Sequence, residues 1–198
     1  MEEILPGVQH WTAFHRGIGQ VVHSYLYAPA HALIDPMLPE EGLDALDRYR
    51  PERILLTNRH HYRQSDELRE RFGCPVLCHE AGLHEFEGGP EVRGFSFGQE
   101  VASGVDALEL DAICPEETAL HLRDAGALAL ADSVIRRRDG ALAFVSDYLL
   151  GEEPERVKGD IRRALRRLLD VDFDALLLAH GEPLRSGAKA ALREFCRT

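Results

Sequence analysis

Three polar segments of the sequence carry residue types that bind metals or transfer protons. The first is LLTNRHHYRQSDEL, residues 55–68, in which His60 and His61 stand side by side shortly after an apolar run ends. The second is Asp132, after the run ALALA, and the third is His180, after the run ALLLA. Polar residues at the carboxyl ends of buried strands converge on an open crevice in α/β proteins. Two imidazoles and a carboxylate placed in this way could bind a borderline metal such as zinc or iron.

The elements that must position these segments alternate between helices and strands. Residues 41–79 read as helix, strand, helix, strand, and residues 92–150 read as short strands separated by Gly and Asp turns. An apolar stripe at helical spacing, opposed by arginines, predicts a long helix from residue 154 to residue 169, and a last strand and helix close the chain. The pattern predicts an α/β fold in a single domain over residues 1–198, with two similar sheet-plus-helix layers packed face to face.

Composition narrows the classes of function. The chain has 198 residues and a formal net charge of -11, so it lacks the positive field that binding to nucleic acid or to an anionic membrane requires. It has no apolar run of transmembrane length and no signal-peptide pattern at its start, so we expect a cytoplasmic protein. Its 4 cysteines are too few for a disulfide scaffold in a chain of this size, and we expect reduced thiols.

The order of these segments resembles that of the metallo-β-lactamase superfamily over almost the whole chain. The segments that carry the resemblance are HALIDP, ILLT before the histidine loop, DELRERFG, CPVLCHEA, ADSV and LLLAHGEPL. The resemblance implies a four-layer αββα sandwich with its site at one edge of the two sheets. It also implies metal chemistry, since members of the superfamily hold two metal ions that generate hydroxide for hydrolysis.

The ligand positions that the resemblance implies are only partly kept. Members of the superfamily carry Thr-His-x-His-x-Asp-His after the early strand, then a histidine before a hairpin, a bridging aspartate and a last histidine. The corresponding positions of this chain are Asn58, His60, Tyr62, Arg63, the pair Ala112 and Ile113, Asp132 and His180. Only His60, Asp132 and His180 keep side chains that can bind a metal there, and Arg63 brings a positive charge close to it. We therefore expect at most one divalent metal, such as Zn or Fe, and not two ordinary zinc ions.

Roles for the remaining residues follow from this comparison. His60, Asp132 and His180 are the predicted catalytic residues and the residual metal positions, and Asn58, Tyr62 and Arg63 are the predicted substrate-binding residues. Arg63 could instead pair with Asp132 and replace the metal by an ion pair. His61 lies at a variable position of the motif, where a solvent-facing or packing role is favoured and a nonstandard ligand role stays open. Cys114 or Asp111 could supply the missing ligand if the register is shifted.

Two classes of function remain open from the sequence. The first is a divergent hydrolase that cleaves an ester, thioester or lactone-type bond. The second is a ligand-binding or regulatory protein that keeps the crevice and has lost the metal. Both predict a small-molecule ligand, and both leave a homodimer possible.

Overall fold

The chain forms fourteen strands and three α-helices over residues 1–197, the part that the computed structural model describes. The strands are β1 (Glu2–Leu5), β2 (Val8–His15), β3 (Gln20–Tyr27), β4 (Ala32–Ile34), β5 (Arg53–Leu55), β6 (Val76–His79), β7 (Val92–Phe95), β8 (Glu100–Ala102), β9 (Val105–Glu109), β10 (Thr118–Leu122), β11 (Ala127–Leu130), β12 (Ile135–Arg136), β13 (Leu142–Ala143) and β14 (Ala175–Leu178). The helices are α1 (Ser65–Phe72), α2 (Pro154–Leu168) and α3 (Ala188–Phe195).

Two sheets account for most of the strands. The first has seven strands in the order β1-β2-β3-β4-β5-β6-β7, antiparallel up to β4 and parallel from β4 to β7. The second has five strands in the order β14-β11-β10-β9-β8, in which β14 and β11 are parallel. Within this sheet β10 and β11 form a hairpin, since they pair as antiparallel neighbours.

Three apolar clusters arrange these elements into four layers. The first cluster lies between the sheets, where Leu55 of one sheet packs with Leu120 and Leu177 of the other. The second packs α2 and α3 on the outer face of the five-stranded sheet, through residues such as Leu165. The third packs α1 on the outer face of the seven-stranded sheet, through residues such as Leu68. The predicted αββα sandwich is therefore confirmed.

One predicted helix takes a different form. Residues Leu43–Tyr49 form a 3-10 helix instead of an α-helix, and Arg50 ends it in the left-handed conformation with φ of 48°. Pro51 follows directly, and proline disfavours a helical conformation in the residue before it.

Among residues 1–197, no helix is both long and apolar enough to cross a membrane.

Candidate metal centre

Three loops meet at one end of the two sheets, each directly after a buried strand. Asp132 follows β11 and His180 follows β14, and these two strands pair in parallel up to Leu130 and Leu178. The third loop follows β5 in the other sheet, and its Thr57 carbonyl accepts a 2.9 Å hydrogen bond from the Thr118 backbone N–H. This bond joins the edges of the two sheets, so the topology brings all three loops together.

The chain can turn after His180 only because a glycine follows. Gly181 has φ of 91°, and a Cβ built on it would lie 2.0 Å from the Arg136 carbonyl oxygen. The Arg136 backbone N–H donates to the His180 carbonyl at 3.0 Å. The Cβ of any other residue at 181 would displace β12, which contains Arg136, and would move the His180 side chain.

His61, Asp132 and His180 form a compact set of potential metal ligands. Asp132 Oδ1 lies 3.5 Å from His61 Nε2 and 3.2 Å from His180 Nε2, and one donor atom from each residue lies within 4.8 Å of the others. His61 is buried, and Asp132 and His180 are partly exposed. The set is therefore anchored on one side and open to solvent on the other.

Asp35 fixes the orientation of His61. Its Oδ2 lies 2.9 Å from His61 Nδ1, while its Oδ1 accepts a 2.9 Å hydrogen bond from the Thr57 backbone N–H and Oδ2 accepts a further one from the Thr57 hydroxyl. Asp35 is almost fully buried and adopts φ of 46°, an unusual conformation for a residue other than glycine. With its Nδ1–H donated to Asp35, His61 is left with Nε2 directed at Asp132, as in the carboxylate–histidine–metal arrangement of many metal sites.

Asp132 is held by two further residues. Asn58 Nδ2 donates to Asp132 Oδ2 at 3.2 Å. The fully buried Glu117 accepts hydrogen bonds from the backbone N–H groups of Asp132 and Ser133, at 3.0 Å and 2.7 Å. These contacts leave Asp132 Oδ1 to face the two histidines.

The charges of the site are strongly coupled. Burial lowers the pKa of His61, but the Asp35 and Asp132 carboxylates outweigh burial and raise this pKa to about 9. Burial raises the pKa of Asp132, but His61 and His180 hold it well below its usual value. Burial, helped by the charge of Asp132, raises the pKa of Glu117 to about 7. Without a metal, His61 is therefore an imidazolium between two carboxylates at neutral pH.

Arg63 does not form the predicted ion pair with Asp132. Its Nη1 donates instead to two backbone carbonyls, that of His23 at 2.8 Å and that of Asp35 at 2.5 Å. The residue has φ of 49°, which turns the side chain toward β3 and β4. The positive charge that argued against a metal at this position is thus engaged by neighbouring strands.

The predicted ligand His60 is not part of the three-residue set. It belongs to the 3-10 turn Arg59–His61 and is exposed, whereas His61 of the same turn is buried. Asn58 caps this turn, because its Oδ1 accepts the His60 backbone N–H at 2.8 Å. This geometry turns His61 inward toward Asp35 and leaves His60 at the edge of the crevice.

The other predicted site residues have structural partners. Asn58 is buried and supports Asp132, so its amide is not free for a substrate. Tyr62 donates its hydroxyl to Asp66 at 2.6 Å and packs on Phe86, away from the three donors. Cys114 and Asp111 lie outside the set as well, and Asp111 pairs with an arginine of α2.

The sequence favoured a solvent-facing or packing role for His61, with a nonstandard ligand role left open, and gave no indication of Asp35 as a site residue. His61 falls on a position that varies in the superfamily motif, and Asp35 lies in HALIDP, a segment that carried the resemblance to the superfamily but no predicted site residue. A usable signal was present, since a buried carboxylate after one strand and a histidine after the next parallel strand lie at the same sheet edge.

A crevice of about 650 Å³ opens over the three donors. Its walls include Ile18 of the β2–β3 hairpin, Ile135, Val145 and Leu149. A crevice of this size suits a small molecule.

The residues present fit a single metal ion. Donor atoms around a tetrahedral zinc ion with bonds of about 2.1 Å are roughly 3.4 Å apart, and Asp132 Oδ1 lies 3.5 Å and 3.2 Å from the two histidine nitrogens. Two histidines and one carboxylate are also the ligand set of many iron(II) sites. Among residues 1–197, these three form the one group of at least three metal-binding side chains this close together.

Solved structures with the same fold include metallo-β-lactamases and a protein in a di-iron-bound form. A metallo-β-lactamase family protein from Thermus thermophilus aligns with 98% of this chain and 80% of its own, at 18% identity and a TM-score of 0.69. The DIM-1 metallo-β-lactamase aligns with 99% of this chain and 94% of its own, at 11% identity and a TM-score of 0.74. TTHA1623, solved in a di-iron-bound form, aligns with 91% of this chain and 96% of its own, at 22% identity and a TM-score of 0.68.

These similarities define the fold. No protein-family model matches the chain, and no curated protein matches it. The chain has the metallo-β-lactamase fold, with an αββα sandwich and polar residues at the edge of both sheets.

Proposed function

We propose that the chain is a hydrolase with one divalent metal ion, zinc or iron, held by His61, Asp132 and His180, that cleaves an ester, thioester or lactone-type bond. The observation that carries the proposal is the spacing of these three donor groups at the floor of an open crevice. An ion bound there would supply Lewis acidity for polarising a carbonyl group and acidifying water.

The residues of the chain would contribute orientation and shelter. Asp35 keeps His61 in the tautomer whose Nε2 can bind a metal, and Asn58 and Glu117 hold Asp132 in place. The crevice would hold the substrate carbonyl beside the donors. In the reaction, a water oxygen bonds to the carbonyl carbon, the bond to the leaving oxygen or sulfur breaks, and the leaving atom takes a proton.

Structural neighbours support a metal-based role. The neighbour TTHA1623 is described in a di-iron-bound form, and another neighbour is a metal-soaked flavodiiron core from Synechocystis. These neighbours make iron a reasonable ion to test beside zinc, which the two histidines and the carboxylate of this chain also suit.

The test is a metal titration of metal-free protein, followed by esterase assays. We expect one Zn²⁺ or Fe²⁺ per chain by calorimetry and by mass spectrometry, and turnover only with the bound ion. His180→Ala should abolish both properties. His84→Ala is the matched control, because His84 is an exposed imidazole outside the crevice. Binding of less than half an ion per chain, or equal binding by the His180→Ala variant, would refute the proposal.

A second function is favoured by one observation, the position of His61 between two carboxylates: its Nδ1 lies 2.9 Å from Asp35 Oδ2 and its Nε2 lies 3.5 Å from Asp132 Oδ1, and both carboxylates raise its pKa. The imidazolium of His61 can neutralise the two carboxylates in the way a metal would, which leaves a crevice for binding alone. The absence of stoichiometric metal in the titration, together with an intact fold, would support this ligand-binding role.

A further inference from the structure

Large apolar side chains are exposed at two places in the described part of the chain, and both border the crevice. The first is the end of the β2–β3 hairpin, and the second is the 3-10 segment Asp147–Leu150. The exposed residues are Phe14, Ile18, Val21, Tyr148 and Leu149. Exposed apolar groups that gather beside a crevice mark a binding surface more often than scattered ones do.

Two of these residues line the crevice. Ile18, which is 51% exposed, and Leu149, which is 60% exposed, lie in its wall together with Ile135 and Val145. We call these four residues the apolar mouth.

The two faces of the β2–β3 hairpin differ in whether their residues line the crevice. His15 pairs with Gln20 across the strands, and both line the crevice. Phe14 pairs with Val21 one position further along, and neither lines the crevice. Because successive residues of a strand point to opposite faces, Phe14 and Val21 lie on the back of the hairpin.

The crevice offers little to bind a negatively charged group. Arg63 is the one lysine or arginine among the residues that line it. Its Nη1 is taken by two backbone carbonyls, and its Nη2 is enclosed by protein and has no partner. A negatively charged substituent in the apolar mouth, away from the three donors, would therefore lose its water without gaining a cation.

We infer that the substrate carries an uncharged alkyl or aryl group, which binds in the apolar mouth while the bond to be cleaved lies over His61, Asp132 and His180. This inference rests on the proposed hydrolytic function and specifies its substrate class. The volume of about 650 Å³ and the continuity of the apolar walls with the three donors favour a small molecule over a protein partner.

Binding of unreactive amides tests the apolar mouth without turnover. We would titrate the protein with acetamide, butanamide, hexanamide and octanamide and follow binding by ligand-observed NMR. Affinity should rise with chain length, by up to about fourfold per added methylene group if the group is fully buried. In the double variant Ile18→Ser and Leu149→Ser, octanamide should bind at least about tenfold more weakly than to the unmodified chain, because several buried methylene groups lose their contacts.

The matched control is the double variant Phe14→Ser and Val21→Ser. It removes the same kind of exposed apolar surface from the back of the hairpin and should leave the binding of octanamide unchanged. Equal weakening in both double variants, or affinity independent of chain length, would refute the inference. A loss of self-association in the Ile18 and Leu149 variant without a change in octanamide binding would also refute it, because a second copy would then cover the mouth.

The outcome separates this inference from the proposed function. Binding that depends on chain length, in a protein that takes up less than half an ion per chain in the metal titration, would keep the apolar mouth and refute the metal-dependent hydrolase. One bound ion and turnover of p-nitrophenyl acetate and octanoate at equal kcat/KM would keep the hydrolase and refute the apolar mouth.

Discussion

Two regions of this fold hold buried histidines in polar contact, and the histidines differ in charge. His61 lies between Asp35 and Asp132, and those carboxylates raise its pKa to about 9 against the effect of burial. His10 Nε2 and His23 Nδ1 lie 2.9 Å apart with their rings stacked, and burial lowers the pKa of His23 to about 4. Burial, together with the positive charges of neighbouring groups, thus keeps His23 neutral, whereas two carboxylates in close contact keep His61 charged against burial.

The difference also decides which histidines can bind a metal. His61 gives its Nδ1 to a carboxylate and keeps Nε2 for a ligand role. Each ring of the His10–His23 pair uses one nitrogen on the other ring, and the nearest carboxylate, that of Glu2, lies 3.9 Å from His10 Nδ1. The number of histidines in a region is therefore a weaker sign of a metal site than the carboxylates that accompany them.

The largest expected effect that tests this contrast is the pH dependence of unfolding in metal-free protein. The folded-state pKa of His61 lies above the ordinary value of 6.5, so its contribution is complete below pH 6.5 and is lost as pH rises to about 9. The folded-state pKa of His23 lies below 6.5, so its contribution is complete above pH 6.5 and is lost as pH falls to about 4. Each full effect is on the order of 3 kcal/mol in the free energy of unfolding.

Denaturant unfolding across this pH range measures both effects. Compared with the unmodified chain, His61→Gln should flatten the alkaline side and His23→Gln the acidic side. Glu117 is a separate contributor: its pKa of about 7 is raised above the ordinary value of 4.5, so its contribution is lost as pH rises between these values. Glu117→Gln corrects for it. An unchanged alkaline slope in His61→Gln would contradict the charge that we assign to His61.

A smaller effect is expected from substitution of Asp35, one of the carboxylates that distinguish His61 from the His10–His23 pair. In Asp35→Asn the carboxylate next to His61 becomes a neutral amide, which no longer fixes the tautomer or raises the basicity of the ring. We expect metal affinity to fall about 10- to 100-fold, as is typical for the loss of an outer-shell carboxylate. NMR titration should show the His61 pKa moving down in the metal-free variant.

Asp106→Asn is the matched control for this prediction. Asp106 Oδ2 lies 3.9 Å from His121 Nδ1, so it is also a carboxylate beside a histidine, but it lies outside the crevice. Its substitution should leave metal affinity unchanged. Equal losses in both variants would show that the effect of Asp35 is a general effect of charge.

The fold could be predicted from the sequence because its elements obey simple periods. The run ALALA before Asp132 and the run ALLLA before His180 end neighbouring parallel strands, so the two side chains had to lie at one sheet edge. The four-layer order followed from the resemblance to a known superfamily, and the structural similarities confirm it.

The histidine loop could not be resolved in the same way. His60 and His61 are adjacent, and which of them turns inward depends on the phase of one 3-10 turn, set by the Asn58 cap and the Asp35 acceptor. The direction of the Arg63 side chain could not be predicted either, because it depends on a backbone φ of 49°. An arginine rarely adopts this conformation, and no local pattern indicates it. A shift of one residue in this turn would exchange a ligand for an exposed side chain. In a strand with a buried face, the same shift would move every apolar side chain to the other face, so the apolar pattern fixes the register.

The smallest expected effect is that of His60→Ala on metal affinity. His60 is exposed at the edge of the crevice and outside the three-donor set, so this substitution should change metal affinity by no more than about twofold. His61→Ala removes a ligand, so it should lower metal affinity by more than the roughly 100-fold expected for the loss of an outer-shell group. Calorimetric titration of the two variants with Zn²⁺ makes the comparison. A large loss in His60→Ala with little change in His61→Ala would mean that the loop shifts by one residue on metal binding, and that His60 takes the ligand position which the superfamily motif assigns to it. A large loss in His61→Ala alone would mean that a buried carboxylate, and not the sequence motif, selects the ligand in this chain.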